Sequence, residues 1–193
     1  MKSAIFLDKD GTLVEDVPYN VDPARIAWRP GAVEALRLLA SLGHELVVVS
    51  NQPGVAHGYF RPSALRGVEE WFVAASAGEG FHFTAFQWCP HHPERAVRPY
   101  GVACNCRKPR PGMLQSAAAR HEIDLSRSWM VGDILDDIEA GHRAGCRAVL
   151  VDAGHETVWK RGAYRLPDFT VPDLLSAAAV IQAATSLNLR EAV

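Results

Sequence analysis

The residues of this chain that could do chemistry sit where apolar runs stop. Ala4–Leu7 is apolar throughout and ends at Asp8-Lys9-Asp10-Gly11-Thr12, two acids one residue apart followed by a glycine. Carboxylates that close repel each other unless a cation lies between them or one is protonated. The spacing therefore suits a metal site, a nucleophile with an acid/base partner, or both at once. A plain Asp-x-Asp-Gly turn, whose acids bond local backbone N–H groups, has the same letters. Glu45–Val49 stops in a similar way at Ser50-Asn51-Gln52-Pro53-Gly54, where a hydroxyl and neighbouring N–H groups could hold an oxyanion. Ser128–Val131 stops at Gly132-Asp133, with Asp136 and Asp137 close behind.

Two close pairs of soft ligands, Cys89-Pro90-His91 and Cys104-Asn105-Cys106, contain three of the four cysteines. Tetrahedral zinc is the natural occupant of Cys89, His91, Cys104 and Cys106, and His92 could substitute for His91. The segment between the pairs has little apolar surface, so it could not hold a shape by packing, and zinc would supply that order. Four protein ligands leave no open coordination position, which makes the expected role structural. Cys146, near an Ala/Gly-rich helix end, reads as a core residue. Directly after the second pair comes Arg107-Lys108-Pro109-Arg110. Cations fixed to a zinc ligand are held more tightly than cations on a free loop, and phosphate monoesters need fixed positive charge.

Taken in order, Asp8-Lys9-Asp10-Gly11-Thr12-Leu13, Ser50 after an apolar strand, Lys108, and Gly132-Asp133 followed by a further acid resemble the four signatures of the haloacid dehalogenase-like phosphohydrolases. The resemblance implies an aspartyl-phosphate on Asp8, with Asp10 protonating the leaving oxygen and later activating water. It implies that Ser50 and Lys108 hold the phosphoryl group. It also implies a magnesium ion bound by Asp8, the Asp10 backbone carbonyl and Asp133. Asp136 and Asp137 both fall in the first turn of the next helix, where acids are favoured in any case; Asp137 is taken as the residue behind the metal, though the sequence does not separate the two. Asp16 and Tyr19 on the loop after the first motif, Asn51 and Gln52 beside Ser50, and Arg107 and Arg110 beside Lys108 are candidate substrate contacts. Pro53 and Ile134 depart from the family, which more often has a small residue at the first position and, in some zinc-loop members, lysine at the second. The cysteine and histidine loop is especially similar to that of the phosphatases of D-glycero-D-manno-heptose 1,7-bisphosphate, and histidinol-phosphatases share it. An arginine beside Lys108 favours a sugar bisphosphate over the cationic histidinol phosphate. A non-catalytic zinc-ordered binding domain would be expected to lack Asp8, Asp10, Lys108 or Asp133, and all four are present.

These residues need a scaffold that brings strand ends together. Buried strands are expected at 4–7, 45–49, 83–88, 128–131 and 147–151, alternating with helices over 30–42, 62–77, 111–121 and 171–187, with 14–26 looping over the site. That alternation predicts an α/β fold, a Rossmann-like parallel sheet with helices on both faces. Too few residues separate Asp10 from Ser50, or Ser50 from Lys108, for a large cap domain. The zinc loop, about 89–106, falls in the second gap and is expected to wall an open site. The length suits one domain over 1–193. A net charge of −2 provides no basic field for nucleic acid, so the expected partner is a small phosphorylated metabolite, with the chain acting as a monomer. No apolar run is long enough to span a bilayer, and Met1-Lys2-Ser3 leads straight into the first strand. A cytoplasmic location with reduced cysteines is expected.

Overall fold

The computed structural model describes residues 1–94 and 97–191, with side chains described as far as 186, so positions 95 and 96 of the expected zinc loop lie outside the described residues. Six strands form one sheet in the order β3-β2-β1-β4-β5-β6: β1 Ala4–Leu7, β2 Glu45–Asn51, β3 Ala85–Cys89, β4 Trp129–Gly132, β5 Arg147–Val151 and β6 Phe169–Val171. Every neighbouring pair is parallel, so all six carboxyl ends lie along one edge. β1 sits centrally, pairing Phe6 with Val47 of β2 and with Met130 of β4.

A strand alternates its side chains between the two faces, and here both alternating sets are apolar. Ile5, Leu7, Leu46 and Val48 join one core with α1 (Ala32–Ser41), α3 (Leu65–Ser76) and α6 (Leu174–Glu191). Ala4, Phe6, Val47 and Val49 join the other with α4 (Gly112–His121) and α5 (Leu135–Ala144). The expected doubly covered parallel sheet is therefore present.

Several boundaries differ from the sequence expectation. β2 continues through Ser50 and Asn51, which are its last residues instead of a turn beyond it. β3 starts two residues later than expected and includes Cys89. A single helical turn, α2 (Gly54–His57), follows β2 and closes at Gly58 with φ +77°. β6 was not expected: the terminal helix starts at Leu174, and Val171 belongs to a three-residue strand. Three residues carry too little periodicity to read, and pairing with β5 is what makes them a strand. The segment 14–26 is irregular as expected, apart from bridges to Asp10 and Trp28 and a short 3-10 turn at Pro23–Arg25. Among the described residues, no helix is long and apolar enough to cross a membrane.

Candidate active site

The site grows from the edge at which β1, β2 and β4 end. After β1, Leu13 and Val14 both donate to the Lys9 carbonyl, and Gly11 donates to the Val14 carbonyl, so the Asp8–Val14 segment folds back at once. Gly11 holds φ +79°, a conformation open to glycine at little cost, and a Cβ there would collide with the Asp133 carboxylate and the His155 ring. The turn and the close approach of β4's acid thus both demand glycine. Asp8 donates its backbone N–H to Val131 on β4 at 2.9 Å, which ties the first motif to the fourth.

Lys108 reaches into this edge from the segment before α4. Its Nζ lies 2.5 Å from Asp8 Oδ1, 2.5 Å from Asp137 Oδ1 and 3.0 Å from the Val49 carbonyl, with 3% of the side chain exposed. Burial works against its charge, but Asp137 and Asp8 outweigh it and hold the pKa above the ordinary lysine value. Asn51 fixes the backbone that carries it: Lys108 N–H donates to Asn51 Oδ1 at 3.0 Å, and Asn51 Nδ2 donates to the Lys108 carbonyl at 3.1 Å.

Oxygens of Asp8, Asp133 and Asp137 all lie within 4.8 Å of one another. Burial pushes Asp133 up to about 8, with the Asp8 charge adding to it. Burial likewise pushes Asp137 up to about 8, against the pull of Lys108. Asp10 is also raised, chiefly by burial, although Lys9, itself buried, pairs with its Oδ1. Three buried carboxylates around one ammonium are short of positive charge, and oxygen donors this close are what a divalent magnesium ion takes.

The choice between Asp136 and Asp137 is decided by the turn of α5. Asp137 points inward with its Oδ2 accepting from Ile134 N–H, whereas Asp136 pairs with Arg165 at 2.8 Å. Gln52, expected as a substrate contact, is buried and bonds Ser50 Oγ and Asp10 Oδ2. Sequence reasoning missed His155, whose Nδ1 sits 2.6 Å from Asp133 Oδ2, and Glu156, which accepts from Leu135 N–H at the start of α5. Both lie on the connection between β5 and β6, where no spacing or periodic signal marks them.

Cys89, His91, Cys104 and Cys106 converge as expected. Sulfur separations are 3.2, 3.3 and 3.6 Å, and His91 Nδ1 lies 3.3 Å from Cys106 Sγ. Tetrahedral zinc with ~2.3 Å bonds to sulfur needs thiolates at nearly this spacing. Hydrogen bonding with Cys89 lowers the pKa of the Cys106 thiol. Arg107 N–H donates to Cys104 Sγ at 3.3 Å, and its guanidinium lies 3.5 Å from the His91 carbonyl. Arg110 donates to the Cys104 carbonyl at 2.7 Å. The basic segment is therefore laced to the cysteine loop.

Asp16 and Tyr19 lie on the loop after β1, both exposed. Tyr19 holds φ +55° and meets the rings of Tyr59 and His57 edge-on, with centroids at 4.9 and 5.3 Å, while His57 meets His92 at 5.5 Å. The connections that follow β1, β2 and β3 thus touch one another.

A family model described as HAD-hydrolase-like matches residues 105–177. A D-glycero-beta-D-manno-heptose-1,7-bisphosphate 7-phosphatase of Pasteurella multocida (strain Pm70) is 41% identical over 155 residues, 80% of this chain and 84% of that protein. One of the same description from Escherichia coli (strain K12) is 40% identical over 78% of this chain and 80% of its own length. Among solved structures, a D,D-heptose 1,7-bisphosphate phosphatase from B. bronchiseptica, complexed with magnesium and phosphate, superposes with a TM-score of 0.80 at 31% identity, covering 95% of this chain and 99% of the other. By sequence and by architecture alike, the chain belongs to the HAD-like hydrolases, in the family of the D-glycero-beta-D-manno-heptose-1,7-bisphosphate 7-phosphatases.

Proposed function

We propose that the protein is a magnesium-dependent phosphatase that removes the 7-phosphate of D-glycero-D-manno-heptose 1,7-bisphosphate, in the supply of nucleotide-activated heptose for lipopolysaccharide core or another surface glycan. The observation that carries the reading is the buried Lys108 ammonium held between Asp8 and Asp137, with Asp10 and Asp133 alongside. The described relatives act on that sugar by name, and they match this chain over most of its length.

In this reading the Asp8 carboxylate attacks phosphorus, the bond from phosphorus to the C7 oxygen breaks, and Asp10 gives its proton to that oxygen. Asp10 then takes a proton from water as the water oxygen attacks phosphorus, and the bond to Asp8 breaks to free phosphate. Ser50 and Lys108 hold the phosphoryl oxygens through both steps. Asp8, Asp133 and the Asp10 backbone carbonyl would hold magnesium, with Asp137 behind them, and the ion would offset the charge of nucleophile and phosphate. Cys89, His91, Cys104 and Cys106 would hold a structural zinc that fixes Arg107 and Lys108. Asn51 serves by clamping the Lys108 backbone, and Arg107, Arg110, Asp16 and Tyr19 border the distal part of the substrate. The whole chain works as one domain, a monomer in the cytoplasm acting on a small metabolite.

A second phosphate suits the fork of Arg107, whereas the ammonium and imidazole of histidinol phosphate would be repelled by it. The test is kcat/KM for heptose 1,7-bisphosphate, histidinol phosphate and an aryl phosphate side by side with magnesium. The bisphosphate should be preferred. Faster turnover of histidinol phosphate would overturn the substrate assignment, and no phosphate release from any of the three would overturn the phosphatase reading.

A further inference from the structure

Gln52 is 4% exposed, so little of it faces a ligand. Its position follows from β2. Gln52 N–H donates to the Cys89 carbonyl at 2.7 Å, which prolongs the pairing of β2 with β3 by one residue. Residues two apart along a strand share a face, so Gln52 lies beside Ser50, while Asn51 between them turns to Lys108. Gln52 Nε2 is 3.0 Å from Ser50 Oγ and 3.2 Å from Asp10 Oδ2.

A carboxamide nitrogen has two hydrogens to donate and accepts nothing, so each contact takes one of them. Here the nitrogen faces both Ser50 Oγ and Asp10 Oδ2, so the amide donates to each. Two consequences follow. Ser50 Oγ is an acceptor toward Gln52, and its own hydrogen is left to point elsewhere. Asp10 is gripped on both oxygens, by Lys9 at Oδ1 and by Gln52 at Oδ2, so its carboxyl plane cannot swing.

We propose that Gln52 is a positioning residue that aligns Asp10 for proton transfer to the leaving oxygen and turns the Ser50 hydroxyl toward the phosphoryl group. The inference rests on the phosphatase reading above. It assigns a single side chain to couple the acid/base group of one segment to the oxyanion-binding hydroxyl of another, 40 residues away in sequence.

The experiment compares wild type with Gln52→Met, which keeps length without donors, and Gln52→Glu, which keeps shape and faces Asp10 with like charge. The first-turnover rate of alcohol release is measured with two probes, 4-nitrophenyl phosphate and 2-phenylethyl phosphate, with magnesium. Nitrophenolate departs without a proton, whereas an alkoxide needs one, so misaligning Asp10 should slow the alkyl ester far more. The expected loss is about 100-fold on the alkyl ester, the scale of a general acid, and about tenfold or less on the aryl ester, the scale of one weakened hydrogen bond. Gln52→Glu should lose at least as much as Gln52→Met on the alkyl ester. Melting curves establish that each variant is folded, and the Glu variant carries the test if the Met variant is not. Equal losses on the two esters, or no loss on either, would overturn the positioning role while leaving the phosphatase reading intact. A wild-type protein that releases phosphate from neither ester nor from heptose 1,7-bisphosphate would overturn both.

Discussion

Lys108 meets two buried carboxylates, so neutralising Asp8 still leaves its ammonium paired with Asp137. Asp8→Asn keeps shape and hydrogen-bonding capacity while removing the nucleophile, so turnover should vanish with the melting transition retained. Phosphate release and a melting curve on the same preparation check both halves. The excess of acid makes a second prediction. Asp133 is raised to about 8, by burial first and the Asp8 charge second. A carboxyl group whose folded pKa exceeds its unfolded value favours folding while protonated, and that contribution is complete below about pH 4 and lost as pH rises toward about 8. Without magnesium the melting temperature should therefore fall from about pH 6 to about pH 8.5, and magnesium should raise it more at the higher pH. A magnesium effect that is larger at the acidic end would mean that the carboxylates are not crowded as the geometry has them.

Among the elements, the cysteine loop and β2 do most to place the chemistry. The loop meets α4 where Gly112 N–H donates to the Asn105 carbonyl at 3.0 Å, an approach so close that a Cβ on Gly112 would collide with that carbonyl. Arg107, Lys108 and Arg110 hang from this junction. Cys104→Ser should lose zinc and, by loosening Arg107 and Lys108, lower kcat by about 10- to 100-fold, the usual scale for disturbing the support of a site. Elemental analysis beside kinetics checks it. A folded, fully active preparation without zinc would sink the assignment of these four ligands.

At the scale of the molecule, a parallel sheet collects every strand's carboxyl end on one edge, and open α/β sheets bind ligands there. Connections after β1, β2 and β3 touch one another, and in the proposed reaction the distal part of the substrate would help close the site. In the proposed reaction Arg107, tied to the cysteine loop by its contacts with Cys104 and His91, is the cation that would meet it. Arg107→Ala should reduce kcat/KM for heptose 1,7-bisphosphate by about tenfold, within the range of a charged hydrogen bond, and reduce it less for a small aryl phosphate, because the lost contact is remote from phosphorus. Equal losses on both substrates would place Arg107 in the chemistry itself.

Features that depend on neighbours in sequence were legible before the fold. Apolar runs ending in Asp8, Ser50 and Asp133 are local patterns, and so is the close spacing of Cys89 with His91 and of Cys104 with Cys106. Those patterns were enough for a parallel sheet and for the groups that meet at its edge. Pairings across the fold were not legible, because side-chain partners are chosen by strand order and crossing, not by spacing. Asn51 gripping Lys108, Gln52 bridging Ser50 to Asp10, and His155 on Asp133 join residues 57, 42 and 22 positions apart. The same holds for Asp137 over Asp136: both suit the first turn of a helix, and only the roll of α5 against β4 sends one to Lys108 and the other to Arg165. β6 is the extreme case, three residues whose conformation is supplied by the strand beside them.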